Sequence, residues 1–248
     1  MAGIYRVDRR TLLADLGRGA LAVAVLGWTA CSDGDGPSAA SSSTSTTGRP
    51  AAGDALVDRR VSLGFVSAYV LARGKEAAIV DTGVAGSAAA IEDGLRAAGL
   101  AWDDVQHVIL THKHPDHAGS IGPVLDAAAG ARGYAGAADI PSISAPRDLV
   151  AVDDGQEVFG LRVVTTPGHT AGHIAVFDPD TGLLVAGDAL GNTEGLAGSD
   201  PQFTADPAAA DASVRKLARL DVQRILFGHG DPLESDAASA LRDLAASL

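Results

Sequence analysis

Three histidines and one aspartate stand close together near the middle of the chain, as His112, His114, Asp116 and His117. Imidazole nitrogens combined with carboxylate oxygens suit zinc, manganese or iron(II). No cysteine stands among them, which argues against a purely structural zinc site. A solvated loop could carry the same residues, but imidazoles this close would repel one another on protonation without a metal to hold them. The spacing therefore predicts a metal site.

Further potential ligands follow predicted strands later in the chain. His169, Asp188 and His229 each stand just after a short apolar segment, and a glycine directly precedes each of them. Glycine lets the backbone turn sharply and approach an ion without a clash from Cβ. Taken singly, such a residue is more often part of a turn than a metal ligand. The recurrence of the pattern beside the histidine cluster predicts that these residues complete one site.

The elements around the histidine cluster indicate how its side chains are positioned. Residues 105–110 are mainly apolar, as is typical of a buried strand. The cluster would then lie at the carboxyl end of a strand, where an α/β sheet places its binding crevice. Pro115 suits the first turn of a helix, which we expect to continue to about Ala129. Asp116 and His117 would thus project from a helix start.

Strand and helix patterns alternate from about Ala55 onward, and 248 residues with 46% apolar composition can bury one sizeable core. Strands are expected at residues 61–72, 76–81, 105–110, 156–166 as a hairpin around Gly160, 173–178, 183–186 and 224–227. Helices are expected at residues 87–98, 115–129, 206–220 and 236–248. Two halves of this kind predict an α/β (α+β) fold, a four-layer αβ/βα sandwich of two packed mixed β-sheets with outer helices.

The charge of the chain limits its partners. A formal net charge of -12 disfavours nucleic acid, because phosphate binding requires a basic stripe that this sequence lacks. We expect a small-molecule substrate instead, and the sequence carries no signal for an oligomeric state.

The full set of motifs resembles the metallo-β-lactamase superfamily, with metal motifs like those of glyoxalase II. The resemblance covers about Leu56 to Pro232 and includes Asp81 besides the potential ligands. It implies a first metal bound by His112, His114 and His169, a second bound by Asp116, His117 and His229, and Asp188 as the bridge between them. It also implies that Asp81 orients a ligand imidazole.

The chemistry that the resemblance implies is hydrolysis. Two zinc ions, with iron or manganese as alternative metals, would lower the pKa of a shared solvent molecule and yield a bridging hydroxide. This hydroxide would attack the carbonyl of an ester, thioester or lactone. Asp116 is the candidate catalytic residue, because it could receive the proton after attack and pass it to the leaving group.

Other activities of the superfamily remain as alternatives. A mononuclear iron persulfide dioxygenase shares the fold and part of the ligand set, and a surface lipoprotein could bind metal without turnover. β-Lactam hydrolysis is disfavoured, because β-lactamases carry Cys or Ser in the region of Asp188. Quorum-signal lactonases carry a tyrosine that residues 190–205 lack, and too few residues follow His229 for the glutathione-binding region of glyoxalase II. Residues 191–207 are a candidate flap over the site or, alternatively, a disordered linker.

The beginning of the chain predicts export. Arg9 and Arg10 precede an apolar stretch, residues 19–30, that is too short to span a bilayer as a stable helix. Residues 1–30 therefore resemble a twin-arginine export signal. Cys31, the one cysteine of the chain, follows in a lipobox-like position and is the expected lipidation site, although Trp28 stands where a Leu-like residue is usual.

The segment after Cys31 separates the export signal from the folded part. Residues 31–54 are rich in Ser, Thr, Gly, Ala and Pro, which predicts a disordered tether. Residues 55–248 would form the hydrolase domain. We expect it at the outer face of the cytoplasmic membrane as a lipoprotein, touching the membrane only through its N-terminal lipid anchor. A secreted or periplasmic soluble protein is the alternative.

Overall fold

Two mixed β-sheets form the centre of the part of the chain that the computed structural model describes, residues 55–248. The first sheet has the strand order β1-β2-β3-β4-β5-β6, antiparallel from β1 to β3 and parallel from β3 to β6. Its strands are β1 (Val57–Ser62), β2 (Ser67–Arg73), β3 (Glu76–Val80), β4 (Val105–Ile109), β5 (Arg132–Gly136) and β6 (Val150–Val152).

The second sheet has the strand order β13-β10-β9-β8-β7. Only the pair of β10 and β13 is parallel, and the other neighbours are antiparallel. Its strands are β7 (Glu157–Val158), β8 (Leu161–Thr165), β9 (Ile174–Asp178), β10 (Leu183–Val185) and β13 (Arg224–Leu226). A separate two-stranded ribbon lies between β10 and β13 in the chain and comprises β11 (Leu190–Gly191) and β12 (Ala197–Gly198).

Apolar residues alternate along the strands and so divide the core into three layers. On β2, Tyr69 and Leu71 pack between the two sheets, whereas Ala68 and Val70 pack on the opposite face. That outer face of the first sheet is covered by the helices α1 (Ala88–Ala97) and α3 (Ile121–Ala127). The outer face of the second sheet is covered by α4 (Pro207–Leu217) and α5 (Ala237–Ser247). The predicted four-layer sandwich is thereby confirmed.

The expected strand at residues 61–72 is wrong, because the structure has two strands there. β1 and β2 form a hairpin, and the amide of Leu63 donates to the carbonyl of Val66 at 2.9 Å across the turn. Gly64 sits in this turn with φ of +87°, a backbone conformation that glycine adopts without steric cost. The almost continuous apolar pattern concealed the turn.

The expected helix at residues 115–129 is interrupted. The structure has a short helix α2 (Pro115–Ala118) and then α3, separated by Gly119 and Ser120. The amide of Gly119 donates to the carbonyl of Gly83 at 2.9 Å, and Ser120 Oγ donates to the carbonyl of Val84 at 2.6 Å. These bonds to a distant loop replace helical ones, so the break depends on tertiary contacts that periodicity does not reveal.

Other expected elements agree with the structure to within a few residues, including the hairpin around Gly160. β5 and β6 were not predicted, because Gly133 and Gly136 weaken the strand pattern of β5. Within residues 191–207 the structure has a turn-rich segment with β12, and this segment is hydrogen-bonded to the backbone of His169 and His229.

The expectations for the beginning of the chain, the export signal at residues 1–30, the lipidation of Cys31 and the tether at residues 31–54, lie outside the described residues. In residues 55–248 no helix has the length and apolar character needed to cross a membrane.

Candidate metal centre

The structure brings all the predicted ligands together at the carboxyl ends of strands. The cluster follows β4, His169 follows β8, Asp188 follows β10 and His229 follows β13. The potential ligands of the described residues form three groups of three residues, and in each group the ligand atoms lie within 4.8 Å of one another. The triplets are His112, His114 and His169; His112, His117 and Asp188; and Asp116, His117 and His229. The first of these is called the first ligand set below, and the last is called the second ligand set.

In the first ligand set, three imidazole nitrogens face a common point. The Nδ1 atom of His114 lies 3.0 Å from Nε2 of His112 and 2.9 Å from Nε2 of His169. Asp188 adds an oxygen from the side, because its Oδ2 lies 3.4 Å from Nε2 of His169 and 3.9 Å from Nε2 of His112.

In the second ligand set, Nε2 of His117 and Nε2 of His229 lie 3.4 Å apart. Oδ2 of Asp116 lies 3.3 Å from the His229 nitrogen and 3.7 Å from the His117 nitrogen. Asp188 also contacts this set, with Oδ1 at 3.2 Å from His117 and Oδ2 at 3.2 Å from His229. Its carboxylate therefore stands between the two sets.

In His229 and His117, hydrogen bonds to the outer nitrogen place a proton on Nδ1. Nδ1 of His229 lies 2.8 Å from the carbonyl oxygen of Phe65, which can only accept, so Nδ1 donates. Nδ1 of His117 faces Oδ2 of Asp81 at 2.8 Å. The same carboxylate accepts from the amide and the hydroxyl of Thr111 at 2.7 and 2.8 Å. Asp81 thus contacts the outer nitrogen of His117, and a carboxylate in that position can orient a ligand imidazole.

When these two imidazoles are neutral, their inner nitrogens carry lone pairs. Two such nitrogens 3.4 Å apart repel each other unless a proton or a metal cation lies between them. In addition, Oδ1 of Asp188 is buried without a hydrogen-bond partner, which is costly for a carboxylate oxygen. Converging imidazoles and carboxylates with no thiolate suit zinc, iron or manganese. The residues present therefore fit two divalent ions.

The two ligand sets differ in their affinity for protons. In the first set, burial lowers the pKa of His112 well below its usual value and that of His169 to about 4. In the second set, hydrogen bonds to Asp116 and Asp188 raise the pKa of His229 to about 10. Burial opposes protonation of His117, but the carboxylates of Asp81 and Asp188 outweigh it and raise its pKa. Near neutral pH the first set is free to bind metal, whereas the second set holds protons.

Asp139 is a residue of the site that sequence reasoning missed. Its carboxylate is fully buried and accepts from the amide of Lys113 at 3.1 Å, the hydroxyl of Thr170 at 2.5 Å and the amide of Gly172 at 2.9 Å. Lys113 lies between two ligands of the first set, and Thr170 follows the third. Asp139 thus ties the two loops of that set together, although an isolated aspartate has no spacing signal in the sequence.

His173 was also missed, and it contacts the backbone of Asp188. Its Nε2 accepts from the backbone amide of Asp188 at 3.0 Å, and its Nδ1 donates to Oγ1 of Thr166 at 2.7 Å. Because burial lowers the pKa of His173 to about 3, it is neutral and can act as an acceptor. The sequence offered one indication that His173 belongs to the site, namely its position four residues after His169.

Comparisons with known proteins identify the family. The profile of the Metallo-beta-lactamase superfamily matches residues 61–229, well over half of the chain, so the chain belongs to this superfamily. Among curated relatives, the hydroxyacylglutathione hydrolase of Fuscovulum blasticum is 34% identical over 167 residues, which are 66% of this chain and 61% of the relative. That of Acidiphilium cryptum is 38% identical over 171 residues, 65% of this chain and 63% of the relative. The chain thus spans about three fifths of these relatives.

Solved structures show the same fold. The metallo-beta-lactamase family protein TTHA1429 from Thermus thermophilus has a TM-score of 0.62 and 27% identity, with 77% of this chain and 78% of that chain covered. TTHA1623, solved in a di-iron-bound form, has a TM-score of 0.61 and 27% identity, with 76% and 96% covered. The metallo-beta-lactamase SMB-1 has a TM-score of 0.59 at 21% identity, with 77% and 89% covered, and shows the fold alone.

A substitution at Gly228 tests the geometry of the second ligand set. A Cβ atom at this position would lie 2.2 Å from Oδ1 of Asp188 and 2.5 Å from Cε1 of His117. We expect Gly228→Ala to displace both side chains and to weaken zinc binding at the second set by about 10- to 100-fold. Competition with a chromophoric chelator measures the affinity. Gly191→Ala is the control, because the nearest atom to its Cβ would be the His229 carbonyl oxygen at 4.0 Å. Equal zinc affinities in the two variants would contradict the assigned geometry.

The difference in proton affinity predicts a difference in pH dependence. Zinc must displace protons from His117 and His229, whose pKa values are raised, so the affinity of the second set should fall as the pH is lowered. The fall should approach about tenfold per displaced proton and pH unit. The lowered pKa values of His112 and His169 predict little change at the first set from about pH 8 to about pH 6. Calorimetry in buffers of different ionisation enthalpy counts the released protons, and equal counts for the two binding steps would refute this assignment.

Proposed function

We propose that this chain is a metal-dependent hydrolase that uses two zinc ions to cleave an ester, thioester or lactone bond of a small molecule. Iron and manganese are the alternative metals for the same ligands. The observation that carries the proposal is the position of Asp188, whose carboxylate lies within 3.2–3.9 Å of four imidazole nitrogens from both ligand sets. A site for one ion would not require a carboxylate shared in this way.

When bound, two such ions supply a solvent nucleophile that is ionised near neutral pH, and they polarise the carbonyl group under attack. Asp188 and Asp116 have different roles in this proposal. Asp188 is almost enclosed, with 11% of its side chain exposed, and is suited to a purely bridging role. Asp116 has 27% of its side chain exposed, and its hydrogen bond to His229 keeps its pKa low. It is therefore an ionised carboxylate, and the oxygen that does not face the ligand nitrogens could receive a proton and pass it to the leaving group.

Thioesters are the first class of substrate to examine. The curated relatives reported above carry the name hydroxyacylglutathione hydrolase, which denotes hydrolysis of a thioester. Because the chain spans about three fifths of these relatives, the names support the type of bond and leave the rest of the substrate open.

The test is metal analysis of the purified chain together with a panel of thioesters, esters, lactones and β-lactams. We expect two zinc ions per chain and hydrolysis of at least one thioester, ester or lactone. One iron per chain with thiol-dependent oxygen uptake would overturn the proposal in favour of a persulfide dioxygenase. Bound metal without turnover of any compound would overturn it in favour of a metal-binding protein, and turnover confined to β-lactams would overturn the assigned substrate class.

A variant of His114 tests whether that activity depends on the first ligand set, and a variant of His107 is its control. His114→Ala removes one nitrogen of the first set, and we expect it to lose the first metal and about 100-fold or more of the activity while the fold is retained. His107→Gln is the matched control, because His107 lies on β4 outside the ligand sets, with Nδ1 3.2 Å from the hydroxyl of Tyr134. Unchanged turnover in His114→Ala would contradict the ligand assignment.

We further propose that Cys31 is acylated and that the hydrolase acts at the outer face of the cytoplasmic membrane. The support comes from the sequence, where two arginines, a short apolar stretch and a single cysteine follow one another. We expect Cys31→Ser to move the protein from the membrane fraction to the soluble fraction on cell fractionation, because the lipid anchor is lost. Retention of the variant on membranes would refute acylation at this cysteine.

A further inference from the structure

The segment of residues 191–206, called the flap segment below, is hydrogen-bonded directly to metal-ligand residues. Oγ of Ser199 lies 3.0 Å from Nδ1 of His169. The amide of Ala205 donates to the carbonyl of His169 at 3.2 Å, and the amide of Asn192 donates to the carbonyl of His229 at 3.1 Å. The flap segment thus contacts the backbone of both ligand sets and one of their imidazoles.

The direction of the hydrogen bonds around Ser199 is determined by their last acceptor. Oγ1 of Thr204 donates to the carbonyl of Asp200 at 2.6 Å, and a carbonyl oxygen can only accept. Oγ1 of Thr204 has then used its hydrogen, so it must accept from Oγ of Ser199 at 2.7 Å. Because the hydroxyl hydrogen of Ser199 is donated to Thr204, Oγ of Ser199 can only accept from Nδ1 of His169.

This chain of bonds selects one tautomer of His169. With the proton on Nδ1, the lone pair is on Nε2, the nitrogen that lies 2.9 Å from Nδ1 of His114 and 3.4 Å from Oδ2 of Asp188. A metal ligand of the first set requires this tautomer, and an acceptor on the opposite nitrogen also increases the basicity of the ligand.

We propose that Ser199 and Thr204 are positioning residues that hold His169 in its metal-binding tautomer, and that they couple the flap segment to metal binding at the first ligand set. The other fixed imidazoles are held differently: His117 by Asp81 at the end of β3 and His229 by the Phe65 carbonyl. His169 alone among these three depends on hydroxyl groups of the flap segment within the described residues. By linkage, whatever orders residues 199–204 also strengthens metal binding, and the reverse holds equally.

The inference rests on the proposed metal site but not on the identity of the substrate. Ser199→Ala removes the acceptor, and Ser199→Thr keeps a hydroxyl at the same place. We expect about tenfold weaker zinc binding at the first set in Ser199→Ala and near wild-type binding in Ser199→Thr. Thr204→Val should weaken binding by a smaller factor, because Ser199 can then turn its hydroxyl towards another acceptor.

The measurements are chelator competition with zinc and the visible absorption of the cobalt(II)-loaded full chain, which reports on the ligands of the ion. Hydrogen exchange at residues 199–206, with and without zinc, reports on the coupling. Zinc should slow this exchange in the wild-type chain and in Ser199→Thr, but much less in Ser199→Ala. Ser235→Ala is the control, because Ser235 Oγ bonds to Asp236 at 3.1 Å, outside the ligand sets and the flap segment.

The outcomes separate the two proposals. A wild-type chain that binds no metal would overturn the proposed function and this inference with it. A wild-type chain that binds two ions, with the same affinity and cobalt spectrum in Ser199→Ala, would overturn only the inference. Equal weakening in Ser199→Ala and Ser199→Thr would also overturn it, since the hydroxyl would then be irrelevant. If Ser199→Ala fails to fold, Thr204→Val and Ser199→Thr provide the same comparison.

Discussion

The close approach of imidazole lone pairs to one another is the physical constraint on which the rest of this structure depends. His117 and His229 come from distant parts of the chain, yet their Nε2 atoms lie 3.4 Å apart. Such a contact repels unless a cation or a proton lies between the nitrogens. The chain must therefore force the ligands together, and it does so by ending several strands of a buried sandwich at one place. Gly228 permits this, because a side chain there would occupy the space of Asp188.

The buried polar groups around the ligands make this arrangement rigid. Asp81, Asp139 and His173 are all buried, and each makes at least two hydrogen bonds to a ligand or to a loop that carries one. Buried groups of this kind are unfavourable unless they are fully paired, and when paired they favour a single arrangement. Apolar packing stabilises the sandwich, and the polar network fixes the positions of the ligand side chains. A preorganised metal site requires both.

The ligands and the layers could be predicted from the sequence because both depend on local patterns. Glycine followed by His169, Asp188 or His229 after an apolar segment is a short-range signal, and so is the alternation that distributes Tyr69 and Val70 to opposite faces of β2. The interruption between α2 and α3 and the role of Asp139 could not be predicted. Each is caused by bonds between residues far apart in the chain, such as Gly119 with Gly83 or Asp139 with Thr170.

Two loops contact the outer nitrogens of ligand imidazoles. Phe65 is 67% exposed and its ring is parallel to that of His229 at a centroid distance of 5.9 Å, while its own carbonyl accepts from that imidazole. Ser199 holds His169 from the opposite loop. A change in the conformation of either loop would alter the orientation of a ligand imidazole and its basicity. The orientation of one imidazole in each ligand set is therefore tied to the conformation of a surface loop, the loop of Phe65 for His229 and the loop of Ser199 for His169.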